Sequence, residues 1–161
     1  MDRRNGSDRS YKWRHRGSGQ RCRGLGRAWQ VRLLLDTHIW LWSLLEPARL
    51  TKRVVGALTN DENELWLSPI SLWELLVLVE KGRVSLSLDV EEWVERALAT
   101  LPLKEAPITN EIAMETGRIL LAHRDPADRF LVATANVFEL TLVTADERLL
   151  TAKAVPTLPN R

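Results

Sequence analysis

The sequence predicts an α/β fold built on a parallel sheet with helices over both faces. Short apolar runs at VRLLL (31–35), ELWLS (64–68) and LTLVT (140–144) read as strands, and helical patterns fill the intervals between them. Strands separated in this way connect by right-handed crossovers, which makes neighbours parallel and buries both faces of the sheet. At 161 residues, 45% apolar and 27% charged, the chain is one domain long and can bury a sizeable core.

Residues 1–30 are rich in Arg, Gly and Ser and show no helical or strand period, so a disordered basic extension is expected there. An Arg-rich nucleic-acid contact, an organellar transit segment and a translated upstream region all fit that composition. Folding is expected to begin at Val31. VRLLL ends in Asp36, HIWLWSLLE reads as a helix, and Thr51 to Asn60 as a second one. ELWLS feeds a helix from about Ser71 to Lys81 that Gly82 terminates.

Asp89, with Glu92 three residues on, forms a capping box for a helix to about Thr100. LPLKEAPI (101–108) is a weak strand whose two prolines place it at an edge or near its end. Thr109 caps a helix to about His123, and Asp125-Pro126 opens another, because proline suits the first helical position. LTLVT is the last clear strand; the fold is expected to extend over 31–155, with 156–161 as a C-terminal tail.

Charge is unevenly spread. Of 23 Lys/Arg and 21 Asp/Glu, residues 1–32 hold ten and two, which leaves an acidic body with 13 against 19. The overall pI near 9.0 is therefore no sign of a basic surface on the fold. Cys22 is the only cysteine, so one chain offers neither an intramolecular disulfide nor a thiolate metal cluster. No apolar run approaches the roughly 18 to 20 residues of a membrane span, and the expected location is cytoplasmic.

Two acidic residues stand out against this background. Asp36 is the only charged side chain from Leu33 to Leu45, and Glu74 the only one from Leu65 to Val79. A lone carboxylate among apolar residues needs a partner. Asp128, in the first turn of the helix opened by Pro126, and Asp146, just after the last strand, sit at comparable junctions. Ligands of open parallel sheets bind beyond the carboxyl ends of the strands, and Asp36, Asp146 and Glu74, assigned to the first turn of its helix, all fall there. Two like charges roughly 4 Å apart repel by about 1 kcal/mol in water and about 4 at an effective dielectric of 20. A divalent cation, Mg²⁺ or Mn²⁺, removes that penalty, and an oxygen-only donor set disfavours zinc. Such a centre activates water for attack on a phosphodiester.

Asp128 and Asp146 read equally as helix caps and as ligands. Thr37, Ser71 and Thr144 lie beside the acids as possible orienters of water or as ordinary turn and cap residues. Arg124 and Arg129 flank Asp125 and Asp128 and would contact phosphate or neutralise local charge. His38 and His123 read as structural. Trp40, Trp42, Trp66, Trp73 and Trp93 read as core or interface aromatics.

The segments LLLDTHIWLW (33–42), SPISLWELLVLVEKGRV (68–84), HRDPADRFLVATA (123–135) and LTLVTAD (140–146) are together similar to the PIN domain, specifically the VapC-type toxin of bacterial toxin–antitoxin pairs. The resemblance covers residues 31–150. It implies an α/β/α sandwich, Mg²⁺- or Mn²⁺-dependent endoribonuclease activity, a homodimer and inhibition by a cognate VapB-like antitoxin. It matches the family's four acids to Asp36, Glu74, Asp128 and Asp146, with Asp36 and Asp128 as principal metal ligands and Asp125 as an accessory acid. The family's first aspartate lies near the start of the protein, whereas thirty residues precede VRLLLD here, so Val31 is the expected start of translation; N-terminal sequencing checks this.

Two other functions compete. An aspartyl phosphotransfer domain would need a lysine near the last strands, and none lies between Lys104 and Lys153. A non-catalytic RNA- or protein-binding domain would not need all four acidic positions filled.

Overall fold

Strand β1 (Arg32–Leu35) is buried on both faces, and its leucines divide between two cores: Leu33 and Leu35 enter one, Leu34 the other. Side chains alternate along a strand, so a strand covered on both sides must be apolar at every position. Strand β2 (Glu64–Leu67) repeats the pattern, with Leu65 and Leu67 on the first side and Trp66 on the second. Strand β4 (Thr141–Thr144) places Val143 on the first side and Leu142 on the second. Each fully buried leucine contributes roughly 1.5–3 kcal/mol.

The computed structural model describes residues 30–122 and 125–161. The expectations placed on residues 1–29 with Cys22, and on His123 and Arg124, lie outside the described residues. The first core is covered by α1 (Thr37–Leu45), α2 (Lys52–Leu58), α3 (Pro69–Glu80) and α4 (Val90–Thr100), which contribute Ile39, Trp40, Val54, Leu75, Trp93 and Ala97. The second is covered by α5 (Asn110–Thr116), α6 (Pro126–Val137) and α7 (Glu147–Ala152), which contribute Ile112, Leu131, Ala135 and Leu149. The result is a three-layer α/β/α sandwich. With β3 (Leu103–Glu105) and β5 (Thr157–Pro159), the sheet runs β3-β2-β1-β4-β5 with every pairing parallel.

This order sets the position of the site. The chain builds outward from central β1 to β2 and β3, then crosses back to β4 on the other side of β1. The switch point, where crossovers leave in opposite directions and open a crevice, therefore lies between the carboxyl ends of β1 and β4.

Several local expectations are corrected. Residues 156–161 are not a tail: Leu158 packs in the first core, Leu142 N donates to Pro156 O at 2.9 Å, and Asn160 N to Thr144 O at 2.9 Å. Helix α3 starts at Pro69 because the Ser68 side chain caps it, which puts Glu74 in the second turn. Helix α5 stops at Thr116, far short of His123, with Gly117 at its C-cap. Gly82 does follow the end of α3, in the left-handed region (φ 64°) that its missing Cβ permits. Among the described residues no helix is long and apolar enough to cross a membrane.

Candidate active site

Asp36 ends β1, caps α1 and is 6% exposed. Its Oδ1 accepts from His38 N at 3.1 Å, and its Oδ2 accepts from Thr144 Oγ1 at 2.5 Å. Thr144, the fully buried last residue of β4, also accepts from Asp146 N at 3.0 Å. One hydroxyl therefore ties together the acids on the two sides of the switch point. Thr144 thus holds a structural link, and Thr37 acts on Glu74. Ser71 is buried with no hydroxyl partner among the described residues.

Helix α6 brings two acids: Asp125 caps it, accepting from Ala127 N at 3.0 Å, and Asp128 follows in the first turn. Helix α7 brings Asp146 as its cap, accepting from Arg148 N at 2.8 Å. Helix α3 brings half-buried Glu74 from the opposite wall. All five acids line one cleft of about 210 Å³, together with His38, Trp42 and Arg148. A larger groove of about 360 Å³ lies between α3, α4 and β3, but Lys104 and Glu105 are its only charged lining residues. The chemistry therefore points to the smaller cleft.

The crowding shows in proton affinities. Burial raises the Asp128 carboxyl to about 7, helped by the charges of Asp125, Asp36 and Asp146 and opposed by Arg148. Burial also raises Glu74; the nearby Thr37 hydroxyl opposes the rise and the charge of Asp36 adds to it. His38 is raised chiefly by its side-chain interaction with the Asp36 carboxylate, its Nδ1 lying 3.8 Å from Oδ1. At neutral pH the metal-free cleft thus keeps part of a proton on Asp128.

The donor set fits a hard divalent cation: carboxylates from four separate elements, with no sulfur. Among the described residues, no three acidic or histidine side chains stand close enough together to hold an ion in this arrangement. Among the described residues, an arginine already reaches these acids: Arg148 Nη2 lies 2.5 Å from Asp146 Oδ2 and 3.7 Å from Asp128 Oδ2.

Arg148 was not foreseen from the sequence. Its signal was available, since a cation in the first turn opposes the helix dipole and calls for an acidic partner. Arg129, by contrast, turns away from the acids: its Nη1 donates to Ile119 O at 2.9 Å and Thr116 O at 3.3 Å, closing the end of α5. Lys104 pairs with Glu64 at 2.7 Å near the start of β2, and among the described residues lining the cleft there is no lysine of the kind phosphotransfer requires. Trp40 and Trp93 meet edge-on in the core at 5.7 Å between ring centroids, while Trp73 is 50% exposed.

A family model for the PIN domain matches residues 33–155. Ribonuclease VapC22 of Mycobacterium tuberculosis is 32% identical over 120 residues, spanning 73% of this chain and 88% of that protein. The fold is similar to DNA-bound VapBC from Salmonella typhimurium (TM-score 0.61, 20% identity, 82% of this chain and 100% of that one). It is also similar to VapBC2 from Rickettsia felis bound to a promoter fragment (TM-score 0.60, 17% identity, 80% and 98%). The four segments that resembled this family thus lie within one matched domain, and the chain belongs to the PIN-domain family, in its VapC-type branch.

Proposed function

We propose that this chain is the endoribonuclease toxin of a toxin–antitoxin pair, hydrolysing RNA phosphodiesters with Mg²⁺ or Mn²⁺. Asp36 and Asp128 would be the principal ligands, assisted by Glu74 and Asp146. The observation that carries this reading is the delivery of those four carboxylates to one cleft at the switch point, in a chain 32% identical to Ribonuclease VapC22. A VapB-like antitoxin is the proposed inhibitory partner, as in the VapBC complexes that share the fold, and a homodimer the proposed assembly.

When bound, the divalent ion supplies positive charge to the phosphate oxygens and lowers the pKa of a water. The chain's own groups do the rest. Asp36 is fixed by the donors from Thr144 and His38, so its carboxylate presents one orientation to the cleft. Glu74 stands on the facing wall, and its raised carboxyl suits it to accept the proton of the attacking water. Asp128 must lose its own proton before it can act as a ligand.

The test compares RNA cleavage by wild type, Asp36→Asn and Glu74→Gln in Mg²⁺ or Mn²⁺. Each variant is expected to lose at least ~100-fold in rate, and the wild-type products to carry a 5′-phosphate and a 3′-hydroxyl. A 2′,3′-cyclic phosphate would mean attack by the 2′-hydroxyl and reject the mechanism. Unchanged rates in both variants would favour a non-catalytic binding domain.

A further inference from the structure

We infer that Arg148 is a tethered cation that occupies the Asp146 carboxylate in the metal-free protein and must leave it before a divalent ion can bind there. The inference rests on the metal-dependent reading above and concerns a residue that reading does not use.

The guanidinium engages both oxygens of Asp146. Nε lies 3.1 Å from Oδ1 and 3.0 Å from Oδ2, Nη2 lies 2.5 Å from Oδ2, and the Arg148 backbone N–H adds a bond of 2.8 Å to Oδ1. The same Nη2 stands 3.7 Å from Asp128 Oδ2, so one side chain bridges two of the four proposed ligands. A positive fork along a carboxylate's lone pairs cannot share them with a second cation without like-charge repulsion. Ion and guanidinium therefore compete for the same oxygens. Arg148 is 56% exposed at its side chain and can swing into solvent without opening the core. Its position in the first turn of α7, against the helix dipole, leaves the acids as what holds it in place.

The experiment is calorimetric titration of the metal-free, full-length protein with Mn²⁺, comparing wild type, Arg148→Ala, Arg148→Gln and Asp36→Asn. Both Arg148 variants are expected to bind Mn²⁺ about tenfold more tightly than wild type, and Asp36→Asn to lose binding. Melting curves supply an independent readout: Arg148→Ala should melt below wild type in EDTA and no lower than wild type in saturating Mn²⁺. If the Arg148 variants bind no more tightly while Asp36→Asn still abolishes binding, the competition is refuted and the metal site stands. If wild type, Arg148→Ala and Asp36→Asn all take up Mn²⁺ alike, or not at all, the metal-dependent reading fails and this inference fails with it.

Discussion

Replacing Asp128 by asparagine should abolish cleavage and at the same time stabilise the metal-free protein. Its carboxyl is raised from 3.8 to about 7 because the folded chain buries it and surrounds it with Asp125, Asp36 and Asp146. An acid raised in the folded state holds its proton more tightly there than in the unfolded chain. Stability therefore falls as pH climbs from about 3.8 to about 7, and the full cost is present above that. At about 1.36 kcal/mol per pH unit the interval corresponds to about 4 kcal/mol. Asparagine carries no charge and avoids this cost, in which the opposing attraction of Arg148, 3.7 Å away, is already included. The gain of about 4 kcal/mol should raise the melting temperature by roughly 12 °C at pH 8. The assay is thermal unfolding in EDTA at several pH values, with the gain shrinking as pH falls toward 4. Saturating Mn²⁺ should raise the melting temperature of wild type and leave the variant's nearly unchanged. A variant less stable than wild type at pH 8, or a difference that ignores pH, would refute the reasoning.

Two further perturbations separate the site from the scaffold. Thr144→Val keeps the shape of the side chain but removes the donor to Asp36 and the acceptor for Asp146 N. It should cost about 1–3 kcal/mol in urea unfolding and reduce cleavage by ~10–100-fold. Leu142→Ala, at a fully buried position on β4, should cost about 2–5 kcal/mol while cleavage per folded molecule stays at the wild-type level under native conditions.

The layers and the sheet were legible because buried parallel strands are predominantly apolar on both faces, and VRLLL and LTLVT carry that pattern. The second edge strand was not. TLP is three residues long, preceded by Pro156 and ending in Pro159, a composition that local patterning assigns to a loop; only the pairing with β4 makes it a strand. The acids were legible from their apolar surroundings, which is a local property. The turn occupied by Glu74 was not, because it depended on whether Ser68 or a later residue capped α3. Arg129 and Arg148 show the same limit from the other side. Both are arginines near acids in sequence, yet Arg129, on the helix that packs against α5, closes the end of α5, while Arg148, at the start of α7, enters the cleft.

Asp146 reads in the sequence equally as a cap and as a ligand, and the geometry shows that a single carboxylate can serve as a cap while it lines the cleft. Asp36, Asp125 and Asp146 each accept, through Oδ1, the backbone N–H two residues on, and each also faces the acidic cleft. A cap needs one oxygen, which leaves the other for a second partner, Thr144 at Asp36 and Arg148 at Asp146. The consequence is electrostatic as well as geometric: α1, α6 and α7 all aim their N-terminal ends at the same crevice, so partial positive charge from three sets of peptide N–H groups offsets part of the repulsion among the acids. Glu74 and Asp128 stand inside their helices rather than at the cap, and both of their carboxyls are raised. The cap aspartates are thus held in place by the backbone, while burial raises the carboxyls of Glu74 and Asp128. A fold that ends several helices at one rim can gather negative charge there at a cost the backbone partly offsets, and the remainder shows in the raised carboxyls of Glu74 and Asp128.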